Sequence, residues 1–263
     1  MPRAVSQEAA ESGAAERIAK RIARSGLCSR RDAERLIAER RVTLDGAILE
    51  SPAVTVSEAS LVTVDGEPLP SPERPRLFRY HKRAGLLTAA RDPEGRPTIY
   101  DRLPEGLPRL MPVGRLDLAS EGLLLLTNDG GLKRRLELPS TGWVRRYRVR
   151  VHGRVEEATL ASLEKGITID GFRYGPIEAR LDRVQGSNAW LTVALREGKN
   201  REIRKVLAHF GWRAGRLIRL SFGPFQLGGL APGSLEEVNP KVLREQLGGA
   251  GPKRVRRTRE SKS

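Results

Sequence analysis

Apolar positions recur along this chain with two different periods. Between Arg17 and Arg41, Ile18 and Ile22, then Leu36 and Ile37, keep helical spacing on either side of a Ser25-Gly26 break. That spacing predicts two short helices, the second opened by Ser29 as an N-cap. The period then shortens to two. Val42-Thr43-Leu44, Asp45-Gly46 and Ala47-Ile48-Leu49 read as a hairpin, and Leu61 to Val64 runs into a second Asp-Gly pair at Asp65-Gly66. A small α+β module over residues 17–69 follows from these signals.

The stretch PLPSPERPR, Pro68 to Arg76, has four prolines and no apolar period, which places a semi-rigid linker at residues 70–76. Downstream, Leu77–His81, Leu123–Thr127, Tyr147–Val151, Ile177–Leu181 and Trp190–Leu195 read as strands, and Glu156–Lys165 and Asn200–Phe210 as helices. Many of the links are too short for parallel crossovers. The second domain, residues 77–245, is therefore expected to be α+β with an extended, mixed but mainly antiparallel sheet flanked by helices. Residues 1–16 and 246–263 lack sustained apolar periodicity and are expected to be disordered.

Composition narrows the function classes. Hydrophobic residues make up 38% of the 263 positions and charged ones 30%. No apolar run approaches the roughly 18–20 residues that span a bilayer, and the start carries no apolar signal core, so a cytoplasmic protein without a membrane role is expected. One cysteine, Cys28, cannot form an internal disulfide, and His81, His152 and His209 have no metal-ligand spacing. No metal is expected. The formal charge of +16 points to a polyanion, nucleic acid before any other. Between Arg17 and Arg41 nine basic residues (Arg17, Lys20, Arg21, Arg24, Arg30, Arg31, Arg35, Arg40, Arg41) face three acids, a local excess of six positive charges. An apolar face inward and a basic one outward would suit RNA; a merely solvated charged surface is the plain alternative.

No Walker loop and no G-x-G-x-x-G fingerprint is present, so no nucleotide cofactor has a visible seat. Chemistry would fall to carboxylates and arginines. GRLDLASEGLLLLTNDG, Gly114 to Gly130, places Arg115 and Asp117 before four leucines, with Glu121 and Asp129 as further acids. Taken alone, such an Asp is a salt bridge or a cap more often than a catalyst. Gly114 and Gly122 bracketing the acid suit a tight loop, and a leucine run would mount that loop rigidly, as a reacting carboxylate requires. In GWVRRYRVRVHG the period of two puts Tyr147 with Val149 and Val151, opposite Arg146, Arg148 and Arg150. Core packing and base stacking both fit Tyr147. In EGKNREIRKVLAHFGW, Ile203, Val206, Leu207 and Phe210 take the core side of a helix, with Arg201, Arg204 and Ala208 along another stripe.

These stretches resemble the motifs of the RsuA/RluB-type ribosomal pseudouridine synthases, with a likeness running from about Arg17 to about residue 238. GRLDLASEGLLLLTNDG resembles the family's signature around its catalytic aspartate; RRYRV, EGKNREIRKV and RLIRLSFG resemble later motifs in the expected order. The first module resembles an S-four-type RNA-binding domain. The resemblance implies isomerisation of a uridine in ribosomal RNA to pseudouridine, without a cofactor; a monomer is expected. It assigns Asp117 as the essential aspartate, Tyr147 as the residue against the target base, Arg204 as the cation paired with the aspartate, and Arg115 as the residue that displaces the target nucleotide. Arg17, Lys20, Arg21, Arg24, Arg30, Arg31, Arg35 and Arg201 are the further RNA-binding candidates. NREIR and DPEGRPT resemble the large-subunit branch, favouring 23S rRNA or a large-subunit assembly intermediate as partner. The alternatives are a 16S rRNA synthase, a noncatalytic assembly factor and, more remotely, a glycosidase using Asp117 and Glu121. One departure is Tyr80-His81-Lys82-Arg83, where the family usually has Lys-Pro; Arg83 is expected to loosen that turn. The tail PKRVRRTRESKS, with six cations and one acid, would add nonspecific RNA affinity or nothing.

Overall fold

The computed structural model describes residues 15–248, and the chain forms two compact units. Among the described residues the first comprises 15–75 together with Gly106–Met111 and Asn128–Gly130, two segments that a linear division assigns to the second region. Its elements are β1 (Glu16–Arg17), α1 (Ile18–Arg24), α2 (Arg30–Ala38), β2 (Val42–Leu44), β3 (Ala47–Ile48), β4 (Thr55–Val56), β5 (Val62–Val64) and β6 (Glu67–Pro68). Ser29 caps α2 as its sequence position suggested, its hydroxyl accepting from the Asp32 amide at 3.1 Å. Both Asp-Gly pairs turn with positive φ at each residue, +49° and +87° at Asp45-Gly46 and +52° and +85° at Asp65-Gly66, the geometry that matches strand twist in a tight hairpin. They join β2 to β3 and β5 to β6 in a sheet of order β3-β2-β5-β6. Ile18, Ile22, Ala33, Ile37 and Val42, all fully buried, form its core.

The second unit comprises Arg76–Glu105, Pro112–Thr127 and, among the described residues, 131–248. The remaining elements are β7 (Leu77–Lys82), β8 (Met111–Val113), β9 (Ser120–Thr127), α3 (Gly130–Glu137), β10 (Arg145–His152), α4 (Glu157–Ser162), β11 (Ile167–Ile169), β12 (Phe172–Tyr174), β13 (Ile177–Gln185), β14 (Asn188–Leu195), α5 (Glu202–His209), β15 (Arg213–Phe222), β16 (Phe225–Gln226), β17 (Leu235–Glu237) and α6 (Pro240–Gly248). Nine strands make one sheet, ordered β13-β14-β10-β15-β9-β7-β17 with β16 beside β15 and β8 beside β9. Neighbours β13/β14, β14/β10, β10/β15, β9/β7 and β7/β17 run antiparallel, whereas β9 and β15 run parallel. The sheet is mixed and mainly antiparallel, as expected.

Leu123 to Leu126 are all fully buried in β9, each removing side-chain area worth about 1.5–3 kcal/mol from water. Gly122 does not belong to a loop. It is the third residue of β9, with φ +100°, and a Cβ there would lie 2.3 Å from the Arg219 carbonyl oxygen of β15. Only glycine permits that approach.

Three expectations need correction at the ends and at one turn. Glu16 lies in β1 and residues 246–248 complete α6, against the expectation of disorder at these positions; residues 1–14 and 249–263, with the basic tail, lie outside the described residues. The turn at Arg83 is not loosened. Its guanidinium donates twice to the Pro232 carbonyl, at 3.0 and 2.8 Å, replacing proline's stiffness with a side-chain tether. Among the described residues no helix is long and apolar enough to cross a membrane.

Candidate active site

The loop between β8 and β9 carries Arg115 and Asp117, and its carbonyl oxygens are bonded one after another. Thr88 donates its hydroxyl to Leu116 O at 2.8 Å, Lys82 Nζ reaches Asp117 O at 3.1 Å and Ser120 O at 2.9 Å, the Gly85 amide meets Leu118 O at 2.8 Å, and Arg204 Nη2 meets Ala119 O at 3.0 Å. Gly114, at φ +67°, begins the loop and donates its amide to Glu137 at 2.7 Å. With every carbonyl from Leu116 to Ser120 engaged, the loop has little freedom left, and its rigidity passes to the Asp117 side chain.

Lys82 is the centre of this arrangement. It is fully buried at the end of β7 and also donates to Arg83 O at 3.1 Å. Burial pulls its ammonium down to about 8, against the opposite pull of the Asp117 and Glu121 carboxylates.

The Asp117 carboxylate lines a cavity of about 680 Å³, shared with Arg115, Tyr147, Arg201, Glu202 and Arg219. That volume lies in the ~300–1,000 Å³ range of small-ligand pockets. Tyr147 is 8% exposed, on the same buried face as Val149 and Val151. Directly across from it on β15 is Arg219, 3% exposed, with Nε donating to Leu123 O at 2.6 Å and its Nη2 without a partner. Arg145 lies over the Phe222 ring at 4.6 Å, and burial lowers its pKa. Arg115 lines the same cavity. The wall thus offers the Asp117 carboxylate beside other acidic groups, one phenol and several guanidinium groups, a set able to hold a ribose ring, stack on a base and stabilise a detached anion.

The expected Arg204–Asp117 pair is replaced by another. Arg204 bonds the carbonyls of Ala119 and Ala214, the latter at 2.7 Å, so it fixes the loop rather than the carboxylate. Arg201 approaches Asp117 instead, Nη1 to Oδ2 3.6 Å, from a left-handed residue (φ +50°) immediately before α5. Glu121 is taken up by Arg216 at 2.9 and 3.0 Å, and Asp129 belongs to the first unit. Lys82, Arg219 and Glu202 were not singled out from the sequence. A charged residue in register with apolar neighbours, as Arg219 is with Leu217 on β15, was the available signal.

In the first unit the basic candidates divide. Lys20 and Arg24 pair with Glu16 at 3.1 and 2.6 Å, and Arg35 with Asp32 at 3.2 Å. Arg17, Arg30 and Arg31 are exposed, and they and half-buried Arg21 have no carboxylate within ion-pair distance among the described residues. Among the described residues nothing neutralises the charge of these four.

Comparison with known proteins converges on one family. Residues 76–209 match the RNA pseudouridylate synthase family and residues 16–62 the S4 domain. A Rickettsia felis protein named as an uncharacterized RNA pseudouridine synthase is 45% identical over 228 residues, covering 87% of this chain and 99% of that one. Ribosomal large subunit pseudouridine synthase B of Pasteurella multocida is 40% identical over 243 residues, covering 89% of this chain and 70% of that one. A crystal structure described as a pseudouridylate synthase superposes with a TM-score of 0.61 at 26% identity, covering 88% of this chain and 99% of that one. The chain belongs to the RNA pseudouridylate synthase family and carries an S4 domain ahead of its catalytic region.

Proposed function

We propose that this enzyme isomerises a uridine of ribosomal RNA, in the large-subunit 23S species, with Asp117 as the reacting carboxylate. The observation that carries the reading is the Asp117 carboxylate on the wall of the cavity that Tyr147 and Arg219 also line, on a loop whose carbonyls are bonded in succession. In the reaction the bond from ribose C1′ to N1 breaks, the uracil turns, and C1′ bonds to C5; C5 loses a proton and N1 gains one. No atom is added, so no co-reactant is required. Tyr147 offers a face for the extruded base, and the buried Arg219 offers positive charge to the detached uracil. Arg204 holds the loop, and Arg201 brings a positive charge beside the carboxylate. Arg115 lines the cavity and, in this reading, fills the position the nucleotide leaves.

The first unit supplies binding through Arg17, Arg21, Arg30 and Arg31, whose charge is open to phosphates. The 23S preference is supported by relatives of about 40% identity, from Pasteurella multocida and Haemophilus influenzae, named ribosomal large subunit pseudouridine synthase B. The DPEGRPT stretch that carries the same resemblance is a tied loop: Arg96 donates to Asp92 from its amide at 3.0 Å and its guanidinium at 2.8 Å.

Asp117→Asn tests the assignment, because it removes no cation. Its expected behaviour is unchanged RNA binding and no pseudouridine on 23S transcripts that the wild type modifies. An active variant would remove Asp117 from the chemistry, and modification of 16S but not 23S transcripts would overturn the substrate choice.

A further inference from the structure

The face of the sheet opposite Tyr147 has no part in the isomerisation, yet it is the more strongly charged one. Arg146, Arg148 and Arg150 of β10 all point to it and are exposed. Cross-strand partners share a face, so the pairings extend this stripe sideways. One row runs Arg183, Trp190, Arg150, Arg216 across β13, β14, β10 and β15. The next runs Arg180, Thr192, Arg148, Ile218. Along a strand such rows lie about 6.6–6.8 Å apart, and neighbouring strands about 4.8 Å.

Carboxylates offset only part of this charge. Glu121 holds Arg216, Asp182 accepts from Thr192 at 2.8 Å and lies 3.4 Å from Arg180, and Glu178 is exposed beyond them. Arg146, Arg150 and Arg183 have no carboxylate within ion-pair distance among the described residues. Arg148 stacks over the half-buried Trp190 ring at 4.8 Å. Arg150 stands directly opposite Arg216, whose charge Glu121 holds, so the charge of Arg150 itself is left for a polyanion laid across the face.

We propose that this open face is a second RNA-binding surface, which grips the phosphate backbone of a structured segment of the substrate away from the reacting uridine. The inference rests on RNA as the substrate class and not on which RNA is modified. Charge and shape favour phosphate over protein. A protein partner requires an apolar centre to its interface, whereas here a flat field of guanidinium groups surrounds a single indole. Backbone phosphates arranged in rows are bound by charge without reading sequence.

The test uses the full chain with Arg146→Gln, Arg148→Gln and Arg150→Gln combined, and a uridine-free RNA duplex as probe, so that binding is read apart from chemistry. The expected result is at least tenfold weaker binding, with the slope of log K against log salt reduced by about 0.9 for each phosphate that the variant no longer neutralises. The Lys counterparts at these positions should retain most of the affinity. The single-turnover rate on a short, saturating uridine stem-loop should be unchanged. Equal affinity and slope in a variant that melts like wild type would overturn the proposal. So would loss of polyglutamate binding with duplex binding intact, which would assign the face to an acidic protein. If the triple variant does not fold, Arg180→Gln with Arg183→Gln on the edge strand reads the same surface. Wild type that binds the duplex but modifies no RNA would count against the isomerase reading and leave this one standing.

Discussion

Lys82 donates from its ammonium to the main-chain oxygen of Asp117 at 3.1 Å, so the residue is gripped through its backbone and its carboxylate is left free to face the cavity. Holding the carboxylate by its own oxygens would occupy the lone pairs that the proposed chemistry needs. Holding the backbone avoids that conflict. It also explains why a lysine is buried there, since its charge is spread over the carbonyls of Arg83, Asp117, Leu118 and Ser120.

Lys82→Met is therefore expected to remove about 2–4 kcal/mol of stability, because the Arg83 and Ser120 carbonyls lose their donor in a buried setting. The single-turnover rate should fall further than RNA affinity, as a displaced Asp117 loses its aim. Denaturant unfolding together with single-turnover kinetics checks both; a variant as stable and as fast as wild type would show that the other tethers suffice.

Much of this site is legible in the sequence alone. The leucine run, the period of two around Tyr147 and the apolar side of α5 place their elements correctly, because each pattern reports burial, and burial is what folding selects. What escapes are partners distant in sequence. Arg201 and Arg204 lie on one short helical stretch, and which of them meets Asp117 depends on the left-handed backbone at Arg201 and on the β15 carbonyl of Ala214. The role of Gly122 is hidden in the same way. Its glycine requirement comes from Arg219, nearly a hundred positions later, across the parallel β9/β15 pair. Periodicity reads one element at a time, so it cannot report an approach made by two.

Arg201 and Arg204 should separate on mutation. Arg204→Ala removes two carbonyl anchors at 3.0 and 2.7 Å and frees the loop, so the rate should drop roughly 100-fold, as expected for a misplacement on the order of 1 Å. Arg201→Ala breaks one pair at 3.6 Å whose guanidinium is half exposed, an interaction worth about 0.2–1 kcal/mol, so the rate should change by no more than about fivefold. Single-turnover rates of the two variants under identical conditions decide it. Equal losses would mean that the charge beside Asp117, and not the fixing of its loop, governs the chemistry.

Glu202 provides a pH signature of the same pocket. It is 3% exposed at the start of α5; one carboxyl oxygen accepts from the Lys199 amide at 2.9 Å, and the other is buried without a partner. Burial first, and Glu197 beside it second, push its pKa from 4.5 up to about 7. Because the folded chain holds this proton where the unfolded chain has released it, Glu202 costs no stability below pH 4.5, and its penalty grows as pH rises from 4.5 to about 7. Glu202→Gln stays neutral throughout. The wild type should therefore lose on the order of 1–3 kcal/mol relative to the variant across that window, with the difference constant above it. Denaturant unfolding of both proteins at a series of pH values provides the comparison. Parallel curves would show that Glu202 titrates alike in the folded and unfolded chain, so that its burial carries no pH-dependent penalty.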